Sequence, residues 1–341
     1  MEYRIGSFNL KNLGLSALSS KNPRDLQLIA NIIKAEQFDV VALQEILSEG
    51  KALSSKDYAK KSILMHLGPN WDFAWADSDT SLNDTRNEGY AFIWNKRRLR
   101  LSTAKMPDGS IRTYYPRLCR EYHAEIKRKP FYARFTPAGT PSGGPLVELR
   151  LLCIHAYYGS TNKADIKLRQ DETRVLLSEI YPQIAERVYR DDMPHYTIVL
   201  GDYNLELFRS WRIIRKGETP AYLSTDEGDI IMAPNWGNYR IITVQDQLTT
   251  LKASSDERPD ESVIPNSEET EITKTHDNDR GYAHNYDHFS YDEDTIFKNI
   301  RVYAKRIDAV RKYCNDDFSK YRQQVSDHIP IKLTIDFRDG R

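Results

Sequence analysis

The chain has 341 residues, 49 Lys+Arg against 49 Asp+Glu, 40% hydrophobic and 29% charged. That length allows one large domain or two ordinary ones, with a core that buries roughly 75% of the unfolded surface. The charged fraction, with no run near the ~20 apolar residues that cross a bilayer, excludes a membrane-spanning chain, and zero net charge excludes a uniformly basic coat while leaving local patches open.

Met1-Glu2-Tyr3-Arg4-Ile5 lacks a basic segment followed by an apolar one, so no secretory signal is visible and a cytoplasmic location is expected. Tyr3–Phe8 predicts a strand ending at Asn9. Arg24–Glu36 carries apolar residues at Leu26, Leu28, Ile29, Ile32 and Ile33, the spacing of a helix. Val40–Leu43 predicts a buried strand ending at Gln44-Glu45, and Tyr90–Trp94 another. Between Lys96 and Arg134 twelve Lys and Arg face three acids, a net +9, interleaved with Tyr114, Tyr115, Tyr122, Phe131 and Tyr132. That composition suits a nucleic-acid surface as well as a solvated face.

Leu149–Ile154 predicts a strand ending at His155, and Lys163–Val188 a long amphipathic helix. Thr197–Leu200 predicts a strand ending at Gly201-Asp202. Between Lys252 and Arg280 nine acids face four bases, in a stretch rich in Ser, Thr, Asn and Pro, which predicts a solvated or partly disordered insert. Ile331–Phe337 is a closing strand, reached directly from Ser326-Asp327-His328. No fixed-period repeat or linker is evident, so a single domain over 1–341 with an acidic insert at about 252–280 is expected. Cys119, Cys153 and Cys314 cannot all pair and lack zinc spacing, and are expected to be small buried thiols.

The informative regularity is where polar residues fall. Asn9, Glu45, His155, Asp202 with Asn204, and Asp327 with His328 sit at or beside the ends of apolar strands. Singly each is ordinary, since an Asp after a strand commonly makes a turn or helix cap. Together they supply oxygen donors for a hard divalent cation and two imidazoles for proton transfer. The donor set, without Cys, suits Mg²⁺, with Mn²⁺ or Ca²⁺ also fitting, better than structural zinc. Asp202 and Asn204, two apart, project the same way if extended. An acceptor for a water proton then lies beside an amide donor for a phosphoryl oxygen.

Ser7-Phe8-Asn9-Leu10, Leu43-Gln44-Glu45, Ile154-His155, Gly201-Asp202-Tyr203-Asn204 and Ser326-Asp327-His328-Ile329-Pro330 occur in this order. Together they resemble the endonuclease/exonuclease/phosphatase superfamily, and most of all its deoxyribonuclease I branch. The resemblance spans residues 5 to 337 and implies an α/β fold: a four-layered sandwich, two mixed β-sheets face to face with helices outside. It implies Glu45 and Asp327 as metal ligands with Asn9 close by, Glu88 orienting His155, and Asp287 orienting His328. Arg128-Lys129-Pro130 resembles the branch segment near DNA phosphates, and Lys11, Arg86 and Arg112 join Arg128 as expected substrate contacts. Leu47 stands where the branch has Arg, and Arg86 where it has Tyr.

The function implied is a divalent-metal-dependent phosphodiesterase. Its substrate is expected to be DNA, hydrolysed endonucleolytically with little sequence specificity, with no membrane and no obligate protein partner. The competing expectation is a phosphoesterase on a small or lipid substrate, such as a phosphoinositide phosphatase or a sphingomyelinase-like enzyme. A non-enzymatic binding module is disfavoured because every expected catalytic position is filled.

Overall fold

Period-two alternation of apolar residues builds two mixed sheets whose inner faces meet. The computed structural model describes residues 1–18, 24–47, 50–54, 62–78, 88–119, 126–139, 147–189, 193–208, 223–225, 230–232, 239, 241–245, 247–252, 281–293 and 300–337. Arg86 and residues 253–280 of the insert expected at about 252–280 lie outside these residues.

In chain order the first elements are β1 (Glu2–Leu13), α1 (Leu26–Ala35), β2 (Val40–Ile46), α2 (Ile63–Leu67), β3 (Trp71–Asp77), β4 (Gly89–Asn95), β5 (Leu99–Leu101), β6 (Thr103–Lys105), β7 (Ile111–Thr113), β8 (Arg117–Leu118) and β9 (Phe131–Pro137). They are followed by β10 (Glu148–His155), α3 (Lys163–Val175), α4 (Tyr181–Ala185), β11 (His195–Asp202), β12 (Leu207–Phe208), β13 (Leu223–Thr225), β14 (Ile230–Met232) and β15 (Ile241–Val244). The last are β16 (Asp287–Asp292), β17 (Ile300–Arg306), α5 (Ala309–Cys314), α6 (Phe318–Gln324) and β18 (Ile331–Phe337).

One sheet has the order β17-β18-β1-β2-β4-β3 and the other β15-β16-β11-β10-β9-β5, with β8 added against β9. Each contains one parallel pair, β1 with β2 and β10 with β11, and the remaining neighbours on these paths are antiparallel. A three-stranded sheet (β12-β13-β14) and a hairpin (β6-β7) stand apart.

Three apolar clusters give the layers. Tyr3, Ile5, Val40, Ala42, Phe92 and Leu333 of the first sheet meet Phe131, Leu149, Leu151, Ile198, Leu200 and Phe289 of the second. The outer face of the first sheet (Phe8, Leu10, Val41, Leu43) is covered by Ile29, Ile32 and Ile33 of α1 with Val310 and Tyr321 from the C-terminal helices. Outside the second, Leu152, Ile154 and Val199 pack against Leu176, Leu177, Ile180 and Ile184. The order helix, sheet, sheet, helix is the four-layered sandwich that the family resemblance implies. Each buried aliphatic side chain stabilises it by about 1.5–3 kcal/mol.

Helix α1 starts where Asp25 accepts from the Leu28 amide at 2.8 Å, a side-chain N-cap. The helix expected over Lys163–Val188 stops at Ala185, and its Leu176–Ile180 segment widens into a π turn. Pro182 follows after one residue and has no N–H to offer the α ladder, which accounts for the wider turn. No helix among the described residues is long and apolar enough to cross a bilayer. All three cysteines are buried thiols outside any disulfide, as expected.

Candidate active site

The inner-face parity of each strand, continued past its last core residue, arrives at the site. Tyr3 and Ile5 face inward on β1, so Ser7 and Asn9 do too. Leu149, Leu151 and Cys153 on β10 lead to His155, and Ile198 and Leu200 on β11 lead to Asp202. Phe289 and Tyr291 on β16 fix Asp287 inward, and Phe92 and Tyr90 on β4 do the same for Glu88. Parallel pairing sets His155 beside Asp202, and antiparallel pairing sets Asp202 beside Asp287. Three functional side chains therefore stand in a row at about the 4.8 Å strand spacing.

Glu45 breaks the parity, and the backbone accounts for it. Gln44 takes the inner position, where its Nε2 donates to Ser7 Oγ and to Cys153 Sγ across the sheets, each at 3.1 Å. Glu45 has φ +58°, and pairing of β2 with β4 slips between Leu43 and Ile46. A bulge of this kind re-aims a side chain, and it turns Glu45 into the cleft. There Glu45 Oε1 accepts from Asn9 Nδ2 at 2.9 Å, and Oε2 from the Asn12 amide at 3.0 Å.

Asp202 is the centre. It is 1% exposed, and its Oδ2 accepts from Asn9 Nδ2 at 3.0 Å. Nε2 of His155 stands 3.8 Å from that oxygen and Nε2 of His328 3.6 Å. Each imidazole has its own carboxylate on the far nitrogen: Glu88 Oε2 lies 3.3 Å from His155 Nδ1, and Asp287 Oδ2 lies 2.8 Å from His328 Nδ1. Burial raises the Asp202 pKa, only partly opposed by His328. Burial works against charge on His328, but Asp287 and then Asp202 outweigh it and push the imidazole up to about 10.

The next turn is equally constrained. Gly201 has φ +147°, and a Cβ there would fall 2.0 Å from the Ile154 carbonyl oxygen, so only glycine fits. Asn204 has φ +51°, and its amide donates to Asp202 Oδ1 at 2.8 Å, an Asx turn rather than an extended pair. Its side-chain Nδ2 donates to the Ala156 carbonyl at 2.8 Å, which fixes the loop after His155. Asp327 pairs with the Lys11 ammonium. Burial alone would raise Asp327, but His328 and Lys11 hold it below the usual carboxylate range.

The geometry sets one expected substrate contact, Arg128, and two further basic residues of the +9 segment against carboxylates of the protein itself. Arg128 is almost buried, with Nη2 3.0 Å from Glu88 Oε2 and Nη1 donating to the Ala156 carbonyl at 3.2 Å. Its guanidinium therefore steadies the carboxylate behind His155. Arg134 is buried with Glu148 at 2.6 Å, its guanidinium 3.4 Å from the centre of the Tyr189 ring. Arg98 pairs with Asp39 at 2.8 Å. Three of the twelve basic residues of the +9 segment thus serve internal carboxylates. Arg112 is exposed on the β6–β7 hairpin beside Tyr114, and no described contact joins it to the catalytic group.

Residues absent from the sequence-based site complete it. The Tyr90 hydroxyl accepts from the His155 amide at 3.2 Å. Ser326 Oγ donates to the Asn9 carbonyl at 2.7 Å and accepts from the His328 amide at 3.1 Å, tying the ends of the chain together at the site. Thr249 Oγ1 accepts from the amides of Tyr286 and Asp287. Ser326 and Tyr90 lie in or beside the motifs, so their proximity was a usable signal. Thr249 has none.

A divalent cation fits this donor set. Asp202, Asp287 and His328 each offer an atom within 4.8 Å of the others, and Asp287 Oδ1 is buried without a hydrogen bond in the protein. Oxygen donors with one imidazole suit a hard or borderline cation.

No protein-family model matches the chain, and no curated protein matches it. Solved structures do. A structure of an endonuclease/exonuclease/phosphatase from Bacteroides vulgatus aligns over 99% of this chain and 100% of its own, with 14% identity and a TM-score of 0.51. Truncated TDP2 from Caenorhabditis elegans aligns over 98% of each chain, with 11% identity and a TM-score of 0.49. A mannosyl-6-phosphatase from Bacteroides thetaiotaomicron aligns over 98% of this chain and 100% of its own, with 14% identity and a TM-score of 0.47. Two mixed sheets between helices, aligned end to end with the Bacteroides vulgatus structure, give this chain the endonuclease/exonuclease/phosphatase fold.

Proposed function

We propose that the chain is a divalent-metal-dependent phosphodiesterase acting on DNA as an endonuclease with little sequence specificity. The observation that carries the reading is the convergence of two imidazoles, each backed by its own carboxylate, on the single buried carboxylate of Asp202. A carboxylate on Nδ1 fixes the tautomer and leaves Nε2 to face the substrate. One Nε2 can then protonate the leaving oxygen while the other, with Asp202, takes a proton from the attacking water.

Glu45, Asp327 and Asn9 would hold the cation, whether Mg²⁺, Mn²⁺ or Ca²⁺, with the carboxylates of Asp202 and Asp287 as neighbouring donors. When bound, the cation supplies charge neutralisation for the phosphate. Asn9 holds Glu45 and Asp202 together, and Lys11 sits beside Asp327, where its ammonium can meet a phosphate oxygen. Exposed Lys96, Arg97, Lys105 and Arg112 support a polyanionic substrate.

A second reading, a phosphoesterase on a small or lipid substrate, is favoured by the burial of Arg128 and Arg134, which leaves less charge to track a phosphate backbone. Incubating the protein with supercoiled plasmid, and separately with phosphoinositides, in Mg²⁺, Mn²⁺ or EDTA decides. Metal-dependent nicking is the expected result. Phosphoinositide turnover with intact plasmid would replace the first reading with the second.

A further inference from the structure

Beside the catalytic row lies a group of rings that the hydrolytic chemistry does not use. His284 stacks face to face on Tyr286, ring centres 4.8 Å apart and planes 3° from parallel. Tyr286 meets Tyr158 at 6.5 Å with the ring planes tilted by 51°, so Tyr158 borders the stacked pair as a wall, and the Arg169 guanidinium lies 5.0 Å from the Tyr158 ring. All three rings are anchored to the site through the chain: Tyr158 three residues after His155, Tyr286 directly before Asp287, and His284 two residues earlier.

The rings are held rigidly yet left open. His284 Nδ1 bonds to Oε1 of Glu206 at 2.9 Å, and Glu206 lies two residues beyond Asn204. The His284 amide donates to Thr250 Oγ1 at 2.9 Å, and its carbonyl accepts from the Thr249 and Thr250 amides. The Tyr286 carbonyl accepts from the Tyr203 amide at 2.8 Å. Arg169 is buried and bonds to the carbonyls of Tyr158 and Ser160, fixing the loop that carries Tyr158. Still, the His284 side chain is 43% exposed and Tyr158 is 40% exposed. His284 and Tyr158 are thus fixed in place while part of each still faces solvent. That is what a stacking surface needs, because little freedom is then lost when a ligand lands on it.

We infer that His284, Tyr286 and Tyr158 form an aromatic shelf that stacks an unpaired nucleobase next to the phosphodiester being cleaved. This rests on the phosphodiesterase reading above and narrows it. A base inside a duplex has both faces covered, so the shelf selects single-stranded, frayed or terminal nucleotides over intact duplex. Stacking of one base on an aromatic side chain is worth about a 5- to 100-fold change in affinity.

The test compares oligothymidylate with an abasic phosphodiester oligomer of equal length, which carries the same charge and no base. Binding of thymidine 5′-monophosphate against 2-deoxyribose 5-phosphate by titration calorimetry runs alongside. Wild-type protein is expected to prefer the base-bearing member of each pair by about 5- to 100-fold, and to cleave single-stranded oligothymidylate faster than the same strand in a duplex. His284→Ala should lose most of the preference, and His284→Phe should retain it. Equal handling of both members by the wild type, or a Phe variant no better than Ala, overturns the shelf. Failure to cleave either oligomer in Mg²⁺ or Mn²⁺ is failure of the phosphodiesterase reading instead, and the calorimetric pair still decides whether a base is held.

Discussion

At the scale of single residues, the two histidines have equivalent settings and distinguishable partners. His155→Ala and His328→Ala should each lower the rate by about 10²–10⁴, the range for a general acid or base. Because both serve one step, the double variant should lose far less than the product of the two. Steady-state kinetics on a cleavable diester checks this, and an unaltered rate in either single variant removes that residue from the chemistry. Arg128 gives a sharper division. Pressed against Glu88, it should act on kcat, so Arg128→Met should reduce kcat by about tenfold with little change in KM for plasmid. A raised KM and a shallower salt dependence would instead make it a phosphate contact, as its place in an Arg-Lys-Pro segment had implied.

At the scale of elements, the strands carry the site by parity, and that much was legible in the sequence. Asn9, His155, Asp202 and Asp287 fall on the inner phase of apolar runs that can be counted by eye. Glu45 does not; the motif around it marked the residue, but only the bulge and its left-handed backbone explain how it reaches the cleft. The fate of the basic segment was not legible either. Charge is local in the sequence, whereas Asp39, Glu88 and Glu148, which engage Arg98, Arg128 and Arg134, are brought by other strands. The β10–β11 pair depends on a residue that lacks a side chain. Gly201→Ala should separate these strands, cost about 3 kcal/mol and displace Asp202 from His155. Chemical denaturation measures the first effect. A stable, fully active variant would show that the strands can yield there.

At the scale of the whole molecule, Glu36 is a clasp. Its carboxylate lies at the end of α1, buried, and takes bonds from Lys312 and Tyr313 of the C-terminal helical region and from Lys332 of β18. Burial alone would raise its pKa, but these donors bring it down to about 2 from an ordinary 4.5. A depressed carboxylate gives its stabilisation above the unfolded value and loses it on acidification. The contribution should be complete above about pH 4.5 and fade as pH falls towards about 2, amounting to about 3 kcal/mol. Glu36→Gln should lower stability at neutral pH by about 2–3 kcal/mol and flatten its acid limb between those values. Urea unfolding at several pH values reads both, and an acid limb of unaltered slope would assign the sensitivity to other groups.

The parity of the strands also restricts how this chain can change length. Loss or gain of one residue within β10, β11 or β16 would reverse every side chain beyond it, sending an imidazole or carboxylate out among the helices. Such events are tolerable only in the turns, where the row of proposed catalytic residues keeps its phase. His284, Tyr286 and Tyr158 all lie in those turns, beside the row but outside the counted strands. The machinery that breaks the ester and the surface that meets its substituent are thus open to different kinds of mutation. Descendants of this gene can lengthen or recompose the rim, and so exchange one phosphoester for another, while the row beneath is inherited residue for residue.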